Sequence, residues 1–162
     1  MKADSLKAWL TQTVPGLADD PGRMDLWLDV GGVHTGGLSA NLSFEYRYTV
    51  SIDFARYTGD LDAIVVPLLA WIIRHQPDLL AAHRTEPGIR FEASPLDADT
   101  TAVSIDVDLR ENVRVLPKDG GGFTAEPLPA PDLSDTFGGA EILLRQIYRG
   151  AIDAGDLLAG DA

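Results

Sequence analysis

Between Leu42 and Phe54 the chain alternates without a break between hydrophobic and polar side chains. Leu42, Phe44, Tyr46, Tyr48, Val50, Ile52 and Phe54 fall on one side of an extended chain, and Ser43, Glu45, Arg47, Thr49, Ser51 and Asp53 on the other. A period of two over so long a run, rich in aromatic and β-branched residues, predicts a half-buried antiparallel strand. At about 3.3 Å per residue it would span roughly 43 Å, about twice a usual strand. Such a strand either bends or projects beyond its own domain.

The remaining pattern supplies its neighbours. Ala3 to Thr13 carries Leu6, Trp9 and Leu10 at helical spacing and is stopped by Pro15-Gly16. Met24 to Val30 alternates as a strand, with Met24, Leu26, Leu28 and Val30 inward and Asp25, Trp27 and Asp29 outward. Trp27 on a polar face implies either a contact with another helix or subunit, or shielding by the first helix. The glycine-rich GGVHTGG (31–37) is expected to close a hairpin onto the long strand. Asp60 is placed to cap a second helix, whose broad apolar face is Leu61, Ile64, Val65, Leu68, Leu69, Ile72 and Ile73, with Trp71 beside it. Pro67 predicts a kink near Ala63, and Pro77 ends the helix at Gln76. Further strands are expected at Ile89–Ala93 and at Thr101–Leu109, the latter with Val103, Ile105, Val107 and Leu109 inward. Val113–Leu116 reads as its continuation or as another strand, and a turn at 118–122 can return an edge strand at Phe123–Leu128. The sum is an α+β fold: a mainly antiparallel sheet of four to five strands with two helices packed on it, in the order helix-strand-strand-helix-strand-strand.

From Pro127 the composition changes. PLPAPDLSD reads as an extended proline-rich linker, and Ala140–Ile152 has helical spacing through Ile142, Leu143, Leu144, Ile147 and Tyr148. The expected division is an α+β body at 1–126 and, at 127–162, a linker with a C-terminal amphipathic helix. That helix would dock on a partner, pack back on the body, or remain disordered.

Charge narrows the function. Thirteen Lys and Arg against 25 Asp and Glu give a net charge of −12, too few cations to neutralise phosphates, so a nucleic-acid-binding role is disfavoured. Acidity suits solubility, a basic partner, or a surface past which DNA slides without sticking. The absence of cysteine excludes disulfides and thiolate metal sites. No apolar run approaches the ~20 residues of a membrane span, and MKADSLKAWLTQT is amphipathic rather than a signal peptide, so synthesis in the cytoplasm is expected.

Catalytic chemistry is sparse. His34, His75 and His83 form no HxxxH or HExxH pair. Asp106 and Asp108 share a strand face, near Asp97 and Asp99, and could resemble paired carboxylates or a divalent-cation site; alternating acidic residues on an exposed strand are more simply its solvated side. There is no GxSxG elbow, Ser39, Ser43 and Ser104 occupy ordinary positions, and the glycine turn lacks phosphate-loop spacing. No enzyme activity, cofactor or metal is expected.

The runs Leu42–Tyr48 (LSFEYRY), Val66–Ile72 (VPLLAWI), Gln76–Leu80 (QPDLL) and Phe91–Val115 resemble, in order and spacing, the tail completion protein R family of P2-like phages. The resemblance covers about residues 3 to 126; the segment after Pro131 departs from it. It implies a virion assembly protein of a contractile-tailed phage or prophage, similar to tail terminators, which cap the head-proximal end of the tail tube and present a surface for the head. It further implies an α+β subunit in a six-fold ring, with the tube and head–tail connector proteins as partners, DNA passing through the ring, assembly in the host cytoplasm, and a place at the head-proximal end of the tail. Candidate subunit or partner contacts are Trp27, Glu45, Arg47, Asp53, Asp106 and Asp108. Competing readings are a head–tail joining protein of the adjacent layer, a small acidic inhibitor or immunity-type protein, and a hydrolase using Asp106 and Asp108. On this reading Phe44 belongs to the core, and Glu45 is an exposed contact whose reversal to Arg leaves stability unchanged.

Overall fold

The computed structural model describes residues 1–36, 42–80 and 86–129. Two helices lie on one face of a five-stranded antiparallel sheet. Helix α1 (Lys2–Thr13) buries Ala3, Leu6 and Leu10, and Val14 leaves it in extended geometry just before Pro15. Helix α2 (Asp62–His75) buries Ile64, Pro67, Leu68, Ala70, Trp71 and Ile72. No side-chain capping bond starts it; the expected cap, Asp60, contributes its carbonyl instead, accepting from the Ala63 N–H at 3.0 Å. Two indoles join the helices. Trp9 Nε1 donates to the Pro67 carbonyl at 2.8 Å, and the wholly buried Trp71 donates to Ser5 Oγ at 3.2 Å.

The strands are β1 (Met24–Thr35), β2 (Phe44–Tyr57), β3 (Ile89–Pro95), β4 (Thr101–Pro117) and β5 (Phe123–Pro127), in the order β1-β2-β4-β3, with β5 also paired to β4. Tyr48, Val50, Ile52 and Phe54 pair with Leu109, Val107, Ile105 and Val103, and all eight are buried with Leu6, Leu10, Ile64, Leu68 and Ile72 in one core. The alternation of β2 and β4 thus resolves into an apolar face under the helices and a polar face without them. Val113–Leu116 continues β4, which makes β4 the longest strand, at 17 residues.

The structure corrects the expected hairpin. Gly31 and Gly32 are not its turn but part of β1, paired with Tyr48 and Arg47, and β1 runs on to Thr35 opposite Phe44. A β-carbon at residue 31 would stand 3.1 Å from that of Tyr48, so glycine permits the close approach. A bulge lies between Leu28 and Gly31. Leu28 and Val30, expected inward, are exposed, as is Leu42. Leu28, level with the buried Val50, is exposed because β1 is the open edge of the sheet. The bulge turns Val30 to the polar face, where it lines a hollow with Thr49 and Asp108, and Leu42 lies past the end of the helices. For the same reason Phe44 is only half-buried and lies outside the core. Trp27 lies on the face opposite the helices, so shielding by the first helix is also ruled out. His83, Ser39 and the expected helix at 140–152 lie outside the described residues.

One buried polar side chain closes the sheet edge. Gln76, just after α2, donates from Nε2 to the Asp108 carbonyl at 3.1 Å and accepts at Oε1 from the Arg110 N–H at 2.9 Å and from Lys2 Nζ at 3.1 Å. Along the same edge of β4, Asp108 N–H bonds to the Gly88 carbonyl on one side of Gln76, and Leu128 N–H bonds to the Asn112 carbonyl on the other. The amide therefore stands in for a missing strand residue between β3 and β5.

Phe54→Ala should cost about 3–5 kcal/mol in urea unfolding, as a core truncation, whereas Phe44→Ala should cost clearly less. Equal costs would show that the helical layer reaches further than described. Gln76→Leu should destabilise by ~1–3 kcal/mol for each of the two backbone groups it leaves unpaired, measured as a lower urea midpoint at unchanged slope.

Candidate assembly interface

The helical layer stops at Glu111. This carboxylate accepts the Lys2 backbone N–H at 2.9 Å and the Tyr48 hydroxyl, tying the start of α1 to the sheet. Beyond it, the ends of β1, β2 and β4 together with β5 form a projecting ribbon. On its helix side lie Val33 (60% exposed), Tyr46 (36%) and Phe123 (59%), with half-buried Phe44 edge-on to Tyr46 at 4.8 Å between ring centroids. An apolar stripe of this kind on an otherwise charged surface marks a contact face.

All six residues expected at the interface lie on the opposite, polar face, spread over three strands. Trp27 pairs with Ser51 and Ser51 with Asp106; Asp53 pairs with Asp25 and Ser104; Thr49 pairs with Asp108; Glu45 and Arg47 lie further along, opposite Asn112 and Arg110. Trp27 is 43% exposed. Three of the four carboxylates are engaged. Asp106 accepts from Ser51 Oγ at 2.7 Å, and Asp108 accepts from Thr49 at 3.0 Å and from both terminal nitrogens of Arg90 at 2.9 Å each. Glu45 is paired with Arg47, lies 4.0 Å from Arg110, and its side chain is only 15% exposed. It is therefore not the free rim charge expected; Glu45→Arg would place a third guanidinium beside two others. Arg110 also reaches Asp78 at 2.8 Å. Asp53 Oδ1 is buried without a hydrogen-bond partner.

Arg90, Arg110 and Asp78 were not singled out in the sequence. Arg110 stands at an outward position of β4 and could have been found by extending the alternation, but Arg90 and Asp78 acquire roles only through tertiary register. A hollow on this face is lined by Arg47, Thr49, Asp78, Asp108 and Arg110, whose charges are already matched to one another. Among the described residues no three His, Cys, Asp or Glu are placed to hold a metal, and no helix is long and apolar enough to cross a membrane. Asp106 and Asp108 bond to separate partners, Ser51 for the first and Thr49 with Arg90 for the second. The geometry presents an ion-paired face and an apolar ribbon, surfaces suited to protein contact.

These surfaces suit an α+β assembly subunit. Residues 1–131 match the family described as P2 phage tail completion protein R (GpR). The chain is also 33% identical over 136 residues to the tail completion protein R of Escherichia phage P2, covering 81% of this chain and 87% of that protein. It belongs to the P2 phage tail completion protein R family, and its role is structural, in tail assembly. No solved structure matches it.

Titration in the helical layer follows from burial. His75 stacks on Trp71 with ring centroids 4.5 Å apart, and burial, then Lys2 and Arg74, hold its pKa below the usual 6.5. Burial likewise lowers Lys2 and raises the Tyr48 hydroxyl. Because unfolded His75 takes up its proton before the folded form does, its contribution to stability is complete above about pH 6.5 and is lost as pH falls from there through the lower folded value. The difference in stability between wild type and His75→Gln, measured by urea unfolding from pH 8 to 5, should shift against wild type on acidification. A pH-independent difference would remove His75 from this role.

Proposed function

We propose that this protein completes or terminates the tail tube of a contractile-tailed phage or prophage at its head-proximal end and prepares it for head attachment, as a ring of copies, six-fold in the simplest case. It meets the tube on one side and head–tail connector proteins on the other. The observation that carries the reading is the projecting ribbon. A single subunit leaves Val33, Tyr46 and Phe123 in water, and a ring or tube contact would cover them. The net charge of −12 suits a ring through which DNA passes without binding. Assembly then takes place in the host cytoplasm, and the mature protein stays at the head-proximal end of the virion tail. Trp27, Glu45, Arg47, Asp53, Asp106 and Asp108 form the polar wall of this subunit, and those near its edges are proposed contacts with neighbouring copies or partners.

A head–tail joining role in the adjacent layer makes a different prediction. Deleting the gene and examining tails by electron microscopy should give overgrown or irregular tails without heads if the protein terminates the tube, and tails of normal length without heads if it only joins. Normal tails carrying heads would refute both. Val33→Asp with Phe123→Asp, replacing solvent-exposed side chains, should leave the fold intact and reproduce the deletion.

A further inference from the structure

Among the described residues the sheet has open edges on both sides, the outer side of β1 on one and the outer sides of β3 and β5 on the other. Open edges attract other strands. Because the path β1-β2-β4-β3 crosses four alternating strands, β1 and β3 run antiparallel to each other. A second copy placed beside the first in the same orientation thus sets its β1 antiparallel to the first copy's β3. The levels also agree. Leu28 pairs with Val50, Val50 with Val107 and Val107 with Ile89; Met24 pairs with Phe54, Phe54 with Val103 and Val103 with Ala93. Met24–Leu28 and Ile89–Ala93 therefore stand opposite each other across the sheet. A closed ring whose axis follows the strands allows no rise from copy to copy, so these two five-residue segments are the ones brought together.

We infer that copies join by heterologous pairing of the Met24–Leu28 edge of one subunit with the Ile89–Ala93 edge of the next, making the sheet continuous around the ring. This inference rests on the ring reading above and adds which surfaces meet. The chemistry of the two edges matches in that register. On the helix side Phe91, 57% exposed, falls opposite Leu26 and diagonal to Leu28, 47% exposed, so both large apolar side chains leave water. On the polar side Arg90, already held in plane by Asp108, falls opposite the exposed Trp27 ring and diagonal to Asp25. Glu92 opposite Asp25 is the one like-charge pair, and its removal strengthens the contact.

The absence of cysteine permits a direct test. Asp25 and Glu92 are exposed, and in the proposed register their β-carbons lie within disulfide range between copies. Within one subunit three strand spacings, about 14 Å, separate them, which no disulfide spans. Tails assembled with the double variant Asp25→Cys and Glu92→Cys, isolated and oxidised, should give a ladder of covalent multimers on a non-reducing gel, and Phe91→Ser should reduce it by more than tenfold. Each single cysteine variant should stay monomeric; dimers from Asp25→Cys alone would show two-fold β1–β1 pairing and overturn the inference. Tails that contain the protein as a ring but yield no ladder would overturn the inference and leave the proposed function standing. Tails without the protein would refute both.

Discussion

The structure depends on a mismatch of lengths. β4 has 17 residues and β2 has 14, about 56 Å and 46 Å of extended chain. The helices that cover them, with 12 and 14 residues, are only about 18 Å and 21 Å long. Helices of that length cannot shelter the whole apolar side of such strands, and the uncovered remainder becomes a ribbon. The same alternation that places Val50, Ile52, Val107 and Leu109 in the core therefore places Val33 and Tyr46 in solvent a few residues on. Along β2 no change of residue type marks the border; on β4 it is marked by the inward Glu111, which holds the end of α1 there through the bond from its first N–H.

A sheet built on one very long strand must also deal with that strand's second edge. β3 covers β4 up to Val107, and β5 resumes at Val113. Between them the backbone groups of Asp108 and Arg110 would be left open, and Gln76 supplies both a donor and an acceptor to them. Since the same amide accepts from Lys2, the end of α2, the start of α1 and the sheet edge meet at one side chain. Such a site is costly to disturb, because each partner lost leaves a buried polar group unpaired.

The polar face tells the same story in charges. Net acidity alone would leave Asp106, Asp108 and Glu45 as bare carboxylates, but Ser51, Arg90, Thr49, Arg47 and Arg110 meet them. Pairing within the face leaves a surface whose features are shape, an exposed indole and an apolar margin. That is consistent with a structural member of a tail assembly, and with the family to which the chain belongs.

Periodicity alone carried the element types, their order and the inward faces of β2 and β4 in the body, because alternation by two and by 3.6 is written locally in the side chains. The run of residues from Leu42 to Tyr48 and the later Phe91–Val115 also pointed to the family. What periodicity could not carry is how far each face is covered. Leu28, Val30 and Phe44 have the pattern of core residues, yet Leu28 stands on the open edge of the sheet, a bulge turns Val30 to the other face and Phe44 lies past the helices, and only the packed structure decides that. Gly31 and Gly32 read as a turn, because a glycine that admits a neighbouring strand looks the same in sequence as one that bends the chain. The partners of Glu45, Asp108 and Gln76 are far away along the chain, so their burial and pairing arise only once tertiary register brings distant strands together.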